Sequence, residues 1–264
     1  MACHVGRLLD GCDWVGIPFV GGFSEVPEIK ARTIVCSDLH LHIMNLARVV
    51  ANDALRPLLI RQLRRKAFHP DELRAAQEVC RNYEPANPSG DLALAEAYFV
   101  CCWMNRGAKA GTDDEFNGQP SVRWKSDGGD SGVRFQSAIR MLATFSRTLR
   151  RCTFETMDCF DFLARCEDRA SHGLYVDAPF PGAGRRYRHH PPPGKEVDWH
   201  RQLAATLATF SKTRIVCRFY DIPLIRELYS EPEWAWTSLK GRTQANSIAA
   251  EVMLMRNGPE KGLF

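Results

Sequence analysis

The 264 residues contain no C-x-x-C pair, no internal repeat and no window near the roughly 18 unbroken apolar residues of a membrane helix. These absences set aside a paired-cysteine zinc ribbon, a repeat array and a membrane-spanning enzyme. The opening stretch MACHVGRLLDGCDW has no basic segment leading into a long apolar run, so no secretory leader is expected. Ten cysteines are scattered through the chain, too thinly for a disulfide scaffold. Cys36 in Ile34-Val35-Cys36 and Cys217 in Ile215-Val216-Cys217 lie in apolar runs, where cysteine acts as a small hydrophobe. Reduced, buried thiols in a soluble protein without a membrane partner are the expectation.

The net charge of +4 is mild, but its distribution is not even. Arg61, Arg64, Arg65 and Lys66 form one cluster; Arg147, Arg150 and Arg151 a second; Arg185, Arg186, Arg188, His189 and His190 a third. One such cluster reads as a solvated face. Three favour a polyanionic partner.

Near-continuous apolar runs that end in a glycine or an acid suit a parallel sheet covered on both faces. WVGIPFVGG (14–22), RTIVCSD (32–38), GLYVDAPF (173–180) and KTRIVCRFYD (212–221) have that form, and AEVMLMRN near the end predicts a last edge strand. LHIMNLARVV (41–50) and DWHRQLAATLATF (198–210) carry apolar residues at helical spacing. The middle differs: helical stretches from Ala54 are followed by NRGAKAGTDDEFNGQPSVRWKSDGGDSGVRF, ending near Gln136. That segment reads as too polar and glycine-rich for core, and Trp124, Arg106, Lys109, Arg123, Lys125 and Arg134 mark it as a functional surface. The predicted architecture is an α/β sheet domain, residues 1–53 and 137–264, interrupted by a mostly helical and glycine-rich insertion at 54–136.

Ligands of open α/β sheets bind beyond the carboxyl ends of the strands. Gly21-Gly22, Asp38 and Asp177 all fall at such ends. Glycines there let a backbone approach a ligand closely. An acid sixteen residues on suits either ribose hydroxyls or a helix N-cap. Asp177-Ala178-Pro179-Phe180 adds a carboxylate, a carbonyl and an aromatic ring. The carboxylate can accept one N–H of an exocyclic amine, the Ala178 carbonyl the other, while Phe180 stacks on the base. Such preorganised acceptors free the nitrogen lone pair for attack.

In order and spacing these motifs resemble a Dam-type DNA adenine N6-methyltransferase of the phage and prophage kind, over most of the chain. Pro18-Phe19-Val20-Gly21-Gly22 resembles the family's cofactor turn, GLYVDAPF its catalytic strand, TFETMDCFDFL the segment before it, and AGT…SVRW…GG…GVRF its target-recognition insertion. The resemblance implies an S-adenosylmethionine-dependent methyltransferase fold with a Rossmann-like sheet, and S-adenosylmethionine as cofactor. It implies Phe19, Gly21, Gly22, Asp38 and Asp158 as cofactor-binding residues. It implies catalysis by Asp177, Ala178, Pro179 and Phe180. Double-stranded DNA is the implied partner, with its target base flipped out. Tyr187 would stack on that base. Arg185, Arg186 and Arg188 would meet phosphates, and Arg123, Trp124 and Lys125 the DNA. A cytoplasmic monomer or weak dimer, in a bacterial or phage-infected cell, is implied.

Two residues depart from the pattern. Ala178 stands where the family has proline, and the first lysine is Lys30, so Arg7 is the candidate for the cofactor carboxylate. Cytosine N4 as acceptor, another donor, and an inactive DNA-binding relative stay open alternatives. His189, His190 and His200 form no convincing metal set, Cys101-Cys102 reads as core, and Trp234 and Trp236 read as packing residues.

Overall fold

A computed structural model describes residues 1–83, 90–107, 110–122, 124, 129–182, 186–239 and 250–258. In chain order its elements are α1 (Ala2–Leu8), β1 (Trp14–Ile17), a 3-10 turn (Val26–Glu28), β2 (Thr33–Ser37), α2 (Leu41–Ala51), α3 (Leu55–Arg65), α4 (Pro70–Arg81) and α5 (Leu92–Met104). There follow α6 (Ser131–Leu149), β3 (Cys152–Glu155), α7 (Cys159–Ala164), β4 (His172–Val176), α8 (Glu196–Ala208), β5 (Arg214–Tyr220), α9 (Pro223–Leu228), β6 (Ala235–Ser238) and β7 (Glu251–Arg256). The chain divides into two compact units, Met1–Leu39 with Met157–Phe264, and His40–Thr156.

The first unit is α/β, and six of its strands run in the order β2-β1-β4-β5-β7-β6. β1, β2, β4 and β5 are parallel, so the sheet is Rossmann-like, with its order reversing between β1 and β4. β7 is not the edge strand that its position near the end of the chain suggested. It pairs antiparallel with β5 on one side and β6 on the other. The four apolar residues Val252 to Met255 are buried because both edges and both faces of β7 are covered; β6, short and half-buried, takes the edge.

Close approach at the centre depends on Gly16 in β1. A Cβ there would lie 2.5 Å from the Trp14 ring and 3.0 Å from Leu174. Leu174, Val176, Ala178, Ile215, Cys217 and Phe219 bury one face of β4 and β5 against α8 and α9. Alternation along the strands then puts Tyr175, Asp177, Val216 and Arg218 on the other face. Trp234 is 3% exposed, and Trp236 Nε1 donates to the Tyr229 carbonyl, so both are packing residues. All ten cysteines are free thiols.

At the amino ends of the strands, Asp168 ties the loop before β4 to the loop before β5. Its carboxylate accepts from Ser211 N (2.9 Å), Ser211 Oγ (2.8 Å), Lys212 N (2.9 Å) and Thr213 N (2.8 Å). Desolvation opposes ionisation, but these donors hold its carboxyl well below the usual carboxylate range. Its stabilising contribution is therefore present above the unfolded value of about 3.9 and is lost as pH falls through the depressed folded value. Asp168→Ala is expected to lower stability at pH 7 by about 2 kcal/mol in urea titrations, the exposed position tempering the charged hydrogen bonds.

The second unit is helical. Its helices start on caps legible in the chain: Asp91 and Asp130 accept from Leu94 N and Val133 N, and Pro70 opens α4. The unit is wider than the 54–136 segment read from composition, because α2 packs with α5 and α6. The glycine-rich middle also supplies core, contrary to the compositional reading. Phe116 and Phe135 are 1% exposed, and Glu115, 2% exposed, bonds His40 Nε2 at 2.8 Å. A buried imidazole–carboxyl hydrogen bond and two rings give a polar segment an interior that its average hydropathy conceals. Among the described residues, no helix is long and apolar enough to cross a membrane.

Candidate functional site

The candidate site lies in the first unit, beyond the carboxyl ends of β1, β2, β4 and β5. After β1 the chain turns at Val20, whose carbonyl accepts from Phe23 N at 3.0 Å. Gly21 holds φ +48°, a left-handed value that favours glycine, and Phe23 holds φ +58° while buried. Two bonds tie this turn to the end of β2. Val20 N donates to the Ser37 carbonyl at 3.0 Å, and Gly21 N donates to Asp38 Oδ2 at 2.9 Å. Of the two roles open to Asp38, the helix N-cap is taken by His40, whose ring accepts from Ile43 N. Asp38 is thus the acid that fixes the glycine turn. A Cβ on Gly21 or Gly22 would meet nothing within 4 Å, so the turn faces open space where a ligand can come against bare backbone.

Asp158 caps α7, its Oδ1 accepting from Phe160 N at 2.8 Å. Met157 exchanges bonds with Ser37 Oγ at 3.3 Å, which holds this corner to the end of β2. Phe160 and Phe19 both meet Trp199 of α8 edge-on, at 5.7 and 6.1 Å between ring centroids. Phe19, Asp38 and Asp158 therefore sit on segments joined by direct contacts.

Asp177 leaves the end of β4 on the face of Tyr175. Its Oδ2 lies 3.2 Å from Arg218 Nη1, and the same guanidinium gives Nη2 to Glu251 Oε2 at 2.8 Å. Three neighbouring strands thus contribute an acid, a base and an acid. About a quarter of the Asp177 side chain stays exposed. Crowding still pushes its pKa up to about 6: desolvation raises it, Arg218 lowers it in part, and Glu25 and Glu251 raise it further. Tyr175, 2% exposed, is shifted upward for the same reason, burial first and the Asp177 charge second.

Ala178 points the other way, 1% exposed in the apolar cluster of β4, β5 and α8. Phe180 packs edge-on to Tyr220 at 4.6 Å, with Arg218 5.6 Å from its ring centre. Tyr187 is half exposed, yet its hydroxyl is shifted upward by desolvation and by Asp177 and Tyr220, which brings it into the same neighbourhood. Arg186 and Arg188 are exposed beside it, whereas Arg185 lies outside the described residues.

Arg7 is not brought to this end. It lies in the last turn of α1, bonded to His4 Nδ1 at 3.2 Å. The carbonyl of its neighbour Leu8 accepts from Arg214 at the amino end of β5, the edge away from Asp177. The seven residues of α1 leave no reach back. In the second unit Trp124 is 91% exposed, and Arg123 and Lys125 lie outside the described residues. Among the described residues no group of His, Cys, Asp and Glu could hold a metal ion; His200 itself is wholly buried in α8.

Sequence reasoning missed Arg218 and Glu251. The signal for Arg218 was present: an arginine inside the apolar run RIVCRFYD, one register step beyond the pair Val176 and Cys217.

No family model and no curated protein matches this chain. Solved structures give distant likenesses. Two structures of the rRNA methyltransferase aviRa from Streptomyces viridochromogenes share 15% and 16% identity, with TM-scores of 0.37 and 0.39, over 96% of this chain and 84% of theirs. SMU.472, a candidate methyltransferase complexed with SAH, shares 13% identity at a TM-score of 0.30, over 77% of this chain and 57% of its own. At these depths the likeness assigns no substrate to this chain.

Proposed function

We propose that the protein transfers a methyl group from S-adenosylmethionine to an exocyclic amine of a flipped-out base, the N6 amine of adenine in double-stranded DNA. The observation that carries this reading is the Asp177 carboxylate at the end of β4, beside the β1/β4 switch point and next to Phe180. Arg218 engages Oδ2 only, and Oδ1 accepts no hydrogen bond among the described residues. One carboxylate oxygen thus remains to accept an amine N–H, and the Ala178 carbonyl is the candidate acceptor for the second.

The cofactor fits the glycine turn. Gly21 and Gly22 leave open space above the backbone, and Asp38 fixes the turn that would cradle it. Phe19 and Asp158 are the further candidates to hold it. When bound, it supplies the methyl on a sulfonium; the protein's part is to orient the amine and exclude water. Phe180 and Tyr187 are the candidate stacking rings, and Arg186 and Arg188 the candidate phosphate contacts.

The test is methyl transfer from radiolabelled S-adenosylmethionine to unmethylated genomic DNA, with nucleoside mass spectrometry, for the chain and its Ala178→Pro variant. Proline fixes φ at the carbonyl-bearing residue and favours an extended residue before it. It also adds ring carbons in a packed site, a cost of about 1–3 kcal/mol. The expected result is N6-methyladenine from both, with the variant faster and less stable. No methylated base from either chain, with the cofactor bound, would refute the reading; N4-methylcytosine would replace its acceptor.

A further inference from the structure

In the helical unit, α3 and α6 pack side by side around a cleft of about 550 Å³. Pro57, Ile60 and Ala143 form its apolar floor, and Arg56, Arg61, Arg64 and Arg65 line its α3 side. On α6, Arg140, Ala143 and Arg147 recur at intervals of three and four, and the C-cap Arg150 continues the same stripe past the floor residue Ala143. Neither the 11 residues of α3 nor the 19 of α6 include an Asp or Glu, in a chain carrying 31 acids among 264 residues.

An ordinary solvated helix face interleaves signs, because like charges one turn apart repel. Here the only acid found against the cleft arginines among the described residues is Asp53, which takes Arg56 at 2.8 Å and Arg150 at 3.4 Å. Among the described residues, Arg61, Arg64, Arg65, Arg140 and Arg147 make no ion pair. Nearby Lys66, by contrast, is neutralised by Glu72 and Glu96. Two arginine rows, compensated only at Arg56 and Arg150, therefore flank an apolar floor, the α3 row lining the cleft and the α6 row running past Ala143.

We infer that this cleft is a docking surface for the phosphate backbone of duplex DNA, outside the glycine turn and the Asp177 cluster. Packed helices lie about 8–10 Å apart, so the two rows can address phosphates on both sides of a groove roughly 6–12 Å wide. A single strand would call for aromatic stacking platforms, and no aromatic ring lines the cleft among the described residues. Arginines without base-reading partners position a duplex and leave its sequence unread. The inference rests on the proposed DNA substrate for its choice of duplex; its charge argument stands alone.

The test is fluorescence anisotropy of a labelled mixed-sequence duplex with the full chain across a salt series. The variant is Arg61→Gln/Arg64→Gln/Arg147→Gln, three positions where glutamine keeps helix propensity. The slope of log K against log salt is expected to fall by about 2–3, near 0.9 for each lost phosphate contact. Affinity at low salt is expected to drop at least tenfold. A control removing Arg165, Arg169 and Arg201, exposed on the first unit, changes net charge equally and is expected to leave the slope within about half a unit.

Equal slopes for variant and control overturn the inference. The triple substitution R61K, R64K and R147K keeps the charges and must keep the slope; a loss there marks damage to the fold and also overturns it. Preferential loss on duplex RNA, with DNA unaffected, overturns the choice of partner. Methyl transfer is measured in parallel. Transfer with an unchanged slope sinks this inference alone, and a lost slope without transfer sinks the enzymatic reading alone.

Discussion

Asp177→Asn is expected to lower methyl transfer about a thousandfold while leaving cofactor affinity within about threefold. The amide replaces one acceptor oxygen with a donor aimed at the incoming amine, which removes a preorganised electrostatic contact of the size that costs about 10²–10³ in rate. The glycine turn is untouched, because its fixed contact is to Asp38 and not to Asp177. The pH profile gives a second readout. With a pKa near 6, Asp177 is half protonated there, and a protonated carboxyl is a poor acceptor. Transfer is expected to rise about tenfold per pH unit below that value and to level above it. Arg218→Met removes the guanidinium that holds the carboxyl down, so the midpoint moves upward and neutral-pH activity falls. An Asn variant within tenfold of the parent in single-turnover transfer would sink the amine-holding role.

Much of this site was legible because strand ends announce themselves. Gly21-Gly22, Asp38 and Asp177 each close an apolar run; β2 and β4 stop directly before Asp38 and Asp177, while β1 ends at Ile17 and the chain continues through Pro18, Phe19 and Val20 into the glycine turn. What the chain hides is lateral. Arg218 meets Asp177 only because Val176 registers with Cys217, and Glu251 joins only because β7 inserts beside β5. Strand order is a tertiary fact, so AEVMLMRN read alone looks like an edge. Arg7 failed for a related reason: its type suits an anionic ligand, but the direction of α1 carries it to the amino ends of the strands, away from Asp177. In the helical unit, Phe116 and Glu115 sit in a segment whose average polarity conceals two buried contacts, while α3 and α6 obey their spacing.

The second large effect opposes the buried His200 and the partly buried Asp177 in the pH dependence of stability. His200 is wholly buried against Trp199 and Phe219, and neither ring nitrogen has a hydrogen-bond partner among the described residues. Desolvation pushes its pKa down to about 4, Glu196 opposing in part. Its neutral form is therefore stabilising above the unfolded value of about 6.5, and that contribution is lost as pH falls toward 4. Asp177 runs the other way. Its folded pKa is raised, so its contribution is full below the unfolded value and is lost as pH rises through about 6. Each shift corresponds to roughly 3 kcal/mol at most. The two groups lie on opposite faces of the sheet, so their effects are expected to add. Between pH 7 and 4 the parent should show a shallow stability profile from two cancelling slopes. His200→Leu leaves the Asp177 slope exposed, and the protein should then gain about 2–3 kcal/mol on acidification over that window. Asp177→Asn leaves the His200 slope, and stability should fall by a similar amount. Urea titrations at pH 7, 5.5 and 4.5 separate them. Parallel profiles for the parent and both variants would show that neither group titrates differently in the folded and unfolded chains.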